Sequence, residues 1–500
     1  MPKEIFLGID LGTTVLKICA VDGKSGAILA HDACRIPVQS LSHSGREQKI
    51  SDIDRLFRKA VHTLQDRLGA EWRRIAGIGL AAQGGSTIIA DRSSGRALTP
   101  MILWDDGRTA AYTAQLKQKY PPSYWRKSLL CDAPPAGLGR LIWLNETQPA
   151  LFCDSNIHIG AGEYLFYQLT GVWRQDAGNA IQIGSYNAAK KKLFSAFLKI
   201  AGAPLSFVAP LRQDHETSPL SAGGARRLNL PRDVPVAGPY IDQEAGYLSA
   251  SGASNRPLQC SLGTAWVGNF ILPGEVDGAS PTQLAIPSPL GPGRLVIQPL
   301  LTGNMTWEWG LRQFVENKDA LPLEEADKIF QSSWMPENPL IFLPWLDQAN
   351  PLARQTAGAG VFYGISSASG RADMLRALAA GLCFELARMF EELKQRRIID
   401  AVALGGGAGK GRFFQTILAG LFAPLPVFQQ KEIDFSAARG ALYAFNPRIA
   451  QTRVKRIRTP DQETAVRLHD YYQHYLRVFS ACYPSEKLGR AFHIEKSQSC

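Results

Sequence analysis

Residues Ile5 to Val21, IFLGIDLGTTVLKICAV, set an Asp and a Gly-Thr-Thr corner between two apolar arms, the second carrying one Lys. β-Branched residues fill both arms and Gly12 supplies the φ freedom a corner needs, so the stretch reads as a strand, a tight turn and a returning strand. The corner gathers backbone N–H groups, the hydroxyls of Thr13 and Thr14 and the ammonium of Lys17 into a cradle for an anion. Asp10 stands beside it, and a carboxylate there suits Mg²⁺, which takes one or two carboxylates together with phosphate oxygens. An ordinary hairpin with a turn Asp accounts for the stretch equally well. A partial echo weighs against that plainer reading: Leu258 to Leu272, LQCSLGTAWVGNFIL, repeats arm, corner, arm, with Leu262, Gly263 and Thr264 standing where Leu11, Gly12 and Thr13 stand. Two such corners suggest two halves facing one polyphosphate, and so long a period means duplicated domains rather than a solenoid.

A chain of 500 residues has room for two or three cores. Its formal charge of +11 favours anionic ligands, but the basic residues are scattered, so nucleic acid is not an expected partner. The densest basic run, Arg453 to Arg458, reads as a solvated edge. Eight cysteines without a C-x-x-C pair indicate neither a zinc site nor a disulfide framework, and suit a reducing cytoplasm. Glu4 and Asp10 interrupt the opening apolar run, and no segment reaches the ~18–20 apolar residues of a membrane span. The expectation is a soluble, cytoplasmic protein.

In chain order, Ala27 to Pro37 is expected as a third strand, and Asp52 to Leu68 as a helix capped by Asp52. Ile75 to Ala81 is a buried strand running into Gln83-Gly84-Gly85-Ser86, with Thr87 to Ala90 returning. Two glycines at a strand end mean close backbone approach. Pro100 to Arg108, PMILWDDGR, reads as a strand ending in Trp104, Asp105, Asp106 and Arg108, and polar groups at strand ends form substrate sites in α/β sheets. Asp105 and Asp106 equally suit turn caps. Gly171 to Arg174 is expected as a turn and short strand, Ser195 to Ala201 as a helix. Val234 to Gly238 is a strand, after which Asp242 precedes a helix start, where capping competes with catalysis. Arg371 to Lys394 reads as an amphipathic helix broken at Gly381. Asp400 to Leu404 enters Gly405-Gly406-Gly407-Ala408-Gly409 before a helix, a form that lets a base or ribose lie against bare backbone. Asp434 to Phe445 reads as a closely packed helix and Glu463 to Tyr483 as a closing one.

Taken together, GIDLGTTVLK, ILWDDGR, RLIW, Asp242 with QEAG, SLGT, GVFYGI with RADMLRALAAG, and ALGGGAGKGRFFQTILAGLF resemble the FGGY family of carbohydrate kinases in order over nearly the whole chain. WDDGR and the tail YYQHYLRVFSACYP resemble its xylulokinase-like branch. The resemblance implies an α/β fold of two duplicated ribonuclease-H-like, actin-like ATPase domains with a nucleotide and substrate cleft between them. The expected domains are 1–247, 248–448 and a helical tail, 449–500. It implies ATP and Mg²⁺ as cofactors, and Asp10 as the metal-organising acid. Thr13, Thr14, Lys17, Gly263 and Thr264 become phosphate contacts, Gly406 and Gly407 the adenosine pair, and Asp242 the general base. Gln83, Trp104, Asp105, Asp106 and Arg108 are the expected substrate contacts, with a ketose, foremost a pentulose such as xylulose, as acceptor. Another polyol, ketose or sugar acid is the alternative, and a sensor or chaperone-type ATPase of actin-like fold the alternative of another class. A homodimer fits the family. The chain departs from the pattern where xylulokinases and gluconokinases carry Met-His after the Gln and glycerol kinases Arg-Glu, since Gly84 and Gly85 stand there. Tyr240-Ile241 replaces Gly-Gly before the general base, and Asp347-Gln348-Ala349 a Gly-Glu-Arg segment.

Overall fold

The computed structural model describes residues 4–263, 266–274, 283–300, 302–315, 322–336, 340–346 and 360–483. Thr264 and the segment 347–349 lie outside them. The opening stretch forms the hairpin its pattern predicts, with Ile5–Leu11 antiparallel to Val15–Asp22 and Asp10 opposite Lys17. Ile28–Arg35 completes an antiparallel meander. On the other side Ile75–Ala82 runs parallel to the first strand, and Pro235–Ile241 parallel to that. Thr217–Pro219 closes this six-stranded sheet. In register, Leu11 faces Ala82 and Ala82 faces Ile241. The next residues along each chain segment are Gly12-Thr13-Thr14, Gln83-Gly84-Gly85 and Asp242, so three distant motifs meet at the carboxyl ends of parallel strands, where α/β sheets hold their ligands.

The second sheet, seven-stranded, repeats this pairing. Pro257–Leu262, Trp266–Leu272 and Arg294–Pro299 form its antiparallel meander. Ala401–Gly405 and Val427–Gln430 add in parallel, and Leu284–Pro287 and Val454–Arg456 are its edges. Ser261 faces Gly405, which sets the Ser-Leu-Gly corner beside the glycine run. Helix Asp242–Ala250 carries the chain from the first sheet to the second. The halves are joined again by the short helical turns Ser436–Gly440 and Ala441–Ala444. A Cβ at Gly8 or Gly79 would overlap the carbonyl of Ala438 or Ala441, and one at Gly440 the carbonyl of Ala245. Backbone therefore lies directly on backbone between the halves.

Several expectations are corrected. Asp52 does not cap its helix, which starts at Ile50 after Lys49; it accepts a hydrogen bond from Arg55 within the first turn instead. Gly381 does not break the long helix, which is continuous over Arg371–Gln395 because the missing Cβ makes room for the Phe342 carbonyl. The segment after Thr87 pairs, as Ile88–Asp91, with Asn156–Ile159 and not with the strand before it. Of 100–108 only Met101–Ile102 is strand, since the following residues turn to make the contacts described below. The 171–174 segment has no strand, and Leu198–Ala201 is a single 3₁₀ turn. The 434–445 helix is divided into 3₁₀ and α turns. The closing helix runs over Gln462–Cys482, burying Tyr471, Tyr475 and Phe479. Among the described residues no helix is long and apolar enough to cross a membrane.

Candidate active site

A cavity of about 720 Å³ opens where the strand ends meet. Asp10, Thr13, Thr14, Lys17, Gln83, Trp104 and Asp242 line it from the first half, Ser261 and Gly263 from the second. Lys17 Nζ sits 3.8 Å from Asp10 Oδ2, because the two residues oppose each other across the hairpin. Asp10 Oδ1 is buried and accepts no hydrogen bond among the described residues. Burial pushes the Asp10 carboxyl up, and Lys17 works against that rise. An enclosed acceptor oxygen with no partner, beside an ammonium and an amide-rich corner, has the chemistry of a cation site completed by phosphate oxygens. Among the described residues no cluster of three or more metal-ligating side chains exists.

Thr13 links the phosphate corner to the acceptor side. Its Oγ1 donates to Gln83 Oε1 at 2.9 Å and accepts from Trp104 Nε1 at 3.1 Å. Gln48, which the sequence reading does not single out, donates to the Thr13 carbonyl at 2.6 Å from a fully buried position.

Asp242 is the first residue of its helix, and its Oδ1 accepts the Gln243 N–H at 2.9 Å. The capping expectation is thereby corrected, since Ile241 holds the cap position and no side chain caps the helix end, while the Asp242 side chain opens on the cavity. Burial, then the negative charge of Asp10, pushes its carboxyl from 3.8 to about 7. A carboxylate with that affinity for protons is matched to accepting one near neutral pH. Arg212 fixes the approach to Asp242. It donates to Pro239 O at 2.6 Å and to Glu244 Oε1 at 2.5 Å, and stacks 4.0 Å from the Tyr240 ring.

The WDDGR segment divides between cavity and scaffold. Only Trp104 lines the cavity. Asp106 caps the following turn, accepting from Arg108 N at 3.1 Å and from Arg46 N at 2.6 Å. Arg108 binds Asp106 at 2.8 Å and Glu47 at 2.6 Å and lies 4.7 Å over Trp143. Asp105 pairs with Arg46. Arg140, one of the largest fully buried side chains, donates to the carbonyls of Gly85, Leu103 and Trp104 and to Thr87 Oγ1. It clamps the Gln83-Gly84-Gly85 turn to Trp104. Its signals in the sequence are the RLIW motif and its place as a lone Arg inside the apolar helix stretch LGRLIWL. From the other side Asn179 Oδ1 accepts the Gly85 N–H at 3.0 Å, while its Nδ2 donates to the buried Glu163 at 2.9 Å.

On the second half, Gly263 has open space above its Cα. Gly406, at φ +77, presses on Leu262, and among the described residues no atom lies within 4 Å of a Cβ position on Gly407. Neither Gly406 nor Gly407 lines the cavity, but both adjoin the Ser261–Gly263 corner that does.

The models of the FGGY family of carbohydrate kinases match this chain twice, the N-terminal domain over residues 5–249 and the C-terminal domain over 299–445. The chain is an FGGY-family carbohydrate kinase. It thus belongs to a family of phosphotransferases acting on carbohydrate hydroxyls. A xylulose kinase of Staphylococcus epidermidis is 23% identical over 97% of this chain and 98% of its own. A glycerol kinase of Acaryochloris marina is 25% identical over 87% of this chain and 88% of its own. The solved structure of xylulose kinase from Rhodospirillum rubrum superposes with a TM-score of 0.84 at 18% identity, covering 96% of this chain and 99% of that one. Within the family, the kinase resembles the xylulokinase-like branch.

Proposed function

We propose that this kinase transfers the γ-phosphate of ATP to a hydroxyl of a ketose, with a pentulose such as xylulose as the leading acceptor. The observation that carries the reading is the meeting of Asp10, Asp242, the Gly12-Thr13-Thr14 corner and Gly263 on one cavity. Asp242 takes the proton from the acceptor hydroxyl as its oxygen bonds to the γ-phosphorus, and the bond to the bridging oxygen breaks to leave ADP. Thr13, Thr14 and Lys17, with Gly263 and Thr264 opposite, hold the phosphates; Gly406 and Gly407 take the adenosine. Asp10, with its unpartnered Oδ1, is the residue to hold Mg²⁺, which supplies charge neutralisation on the phosphate oxygens. Gln83 and Trp104 orient the acceptor, and Asp105, Asp106 and Arg108 hold the turn after Trp104 through Arg46 and Glu47. The matching pairing order of the two sheets supports reading the halves as duplicated ribonuclease-H-like domains.

The test is ADP release from ATP–Mg²⁺ across a panel of ketoses, polyols and sugar acids, with Asp242→Ala as control. Stimulation by a ketose is expected, falling about 10²–10⁴-fold in the variant while the thermal transition is retained. Near-normal turnover in the variant refutes the assignment of Asp242. ATP hydrolysis that no carbohydrate stimulates refutes the acceptor reading.

A further inference from the structure

Two glycines follow Gln83 at the acceptor end, and other side chains fill the space above them. An ideal Cβ on Gly84 would lie 2.5 Å from Gln182 Nε2 and overlap Ile241 Cδ1. One on Gly85, whose φ is +74, would overlap Gln182 Oε1. The Gln182 amide therefore lies across both glycines, from a helix turn remote in sequence. Ile241 comes immediately before Asp242, and its side chain also sits over Gly178. Gln182, Ile181, Ile241, Leu129 and Cys131 all line the cavity.

Several other polar groups at this end are engaged, although Gln283, which donates to Leu130 O at 3.3 Å, keeps a buried Oε1 with no partner among the described residues. Gln83 Oε1 and Trp104 Nε1 both bond Thr13, and Gln243 Oε1 accepts from Asn269 at 2.9 Å. Arg140 donates to backbone carbonyls and Thr87. Gln182 Nε2 donates to Gly178 O at 3.0 Å, and among the described residues its Oε1 receives no donor. Beside Asp242 and over the two glycines the acceptor thus meets the Gln182 amide, which has spare capacity, and a wall of Ile, Leu and Cys. A hydroxyl held against such a wall loses its bonds to water and gains none. A methyl or methylene there loses nothing.

We propose that Gln182 and Ile241 set acceptor specificity, and that the site prefers a ketose or polyol deoxygenated on the carbon facing Ile241. This rests on the kinase reading and narrows its substrate class. Gln182 binds one hydroxyl of the acceptor, Ile241 contacts the unsubstituted carbon, and the two glycines keep that space free of other side chains.

The experiment is ADP release by the full chain on matched pairs, L-fructose with L-rhamnulose, L-tagatose with L-fuculose, and erythritol with butane-1,2,3-triol. The deoxygenated member of the best pair is expected to have about 10- to 100-fold higher kcat/KM. Ile241→Thr, which keeps the branching and adds a hydroxyl, should move that ratio about tenfold toward the hydroxylated member, whereas Ile241→Leu should leave it in place. Gln182→Ala should raise KM for both members more than it lowers kcat. Melting curves of each variant separate altered specificity from lost folding. Asp242-dependent turnover that favours the hydroxylated members, or a ratio that Ile241→Thr leaves unmoved, overturns this inference and leaves the kinase reading standing. No Asp242-dependent turnover on any sugar overturns both.

Discussion

Replacing Asp242 by Asn is expected to make the protein more stable at alkaline pH while removing its activity. The folded state raises the Asp242 carboxyl from 3.8 to about 7, with burial as the larger cause and the charge of Asp10 as the second. Folding therefore binds this proton more tightly than the unfolded chain does. Its contribution is fully present below pH 3.8 and is lost as pH rises through about 7. At about 1.36 kcal/mol per pKa unit, ionised Asp242 costs the folded protein up to roughly 4 kcal/mol above that range. The side chain is half-buried and meets solvent through the cavity, so water offsets part of the cost and about 2 kcal/mol is the working figure. Asn keeps the shape and has no proton to lose. For a domain of ~150–250 residues this corresponds to a Tm gain of about 4–8 °C. Differential scanning fluorimetry of wild type and Asp242→Asn at about pH 4 and about pH 8 measures it, because titrations not coupled to Asp242 cancel in the difference. The gain should appear at the higher pH and vanish at the lower. Equal melting at both pH values, or a gain confined to acid, would show that Asp242 is not held at the expense of folding.

Gly407→Ala should leave the melting temperature within about 0.5 kcal/mol equivalent of wild type, because among the described residues nothing lies within 4 Å of the new Cβ, yet weaken ADP binding about tenfold by calorimetry. Unchanged affinity would remove Gly407 from the adenosine site. Gly440→Ala should cost about 1–3 kcal/mol in urea unfolding, since its Cβ falls on the Ala245 carbonyl. An unaltered midpoint would mean that this contact between the halves is loose.

The fold was legible because its signals are local. The arms around Gly12 and Gly263, the strand into Gly405 and the Tyr-rich closing helix each carry their own periodicity, and each forms within a few residues of where that periodicity places it. Helix interruption was misread at Gly381 because propensity cannot report that a distant carbonyl, that of Phe342, needs the space. The candidate site was legible as far as strand ends collect polar residues, which found Asp10, Thr13, Gln83, Trp104 and Asp242. It was not legible in WDDGR, where one segment of polar residues divides between cavity and support according to partners, Arg46 and Glu47, supplied from far away. Gln182 was invisible for the same reason, and the role of Arg140 was not legible although RLIW contains it. Neither sits at a strand end, and what each does is set by the glycine turn it covers or clamps.

The glycine contacts between Ser436–Ala444 and the first half bear on motion as well as packing. Carbonyls seated on bare Cα atoms at Gly8, Gly79 and Gly440 leave no side-chain layer to shear, so the two halves cannot slide there. Relative movement is left with rotation about that seam, and the Asp242–Ala250 helix lies against it. A point near an axle travels little when the lever swings. If Asp242 is the base and the Gly263 corner a phosphate contact, as proposed, a rotation about that seam would move the phosphate corner toward a base that stays beside the first sheet.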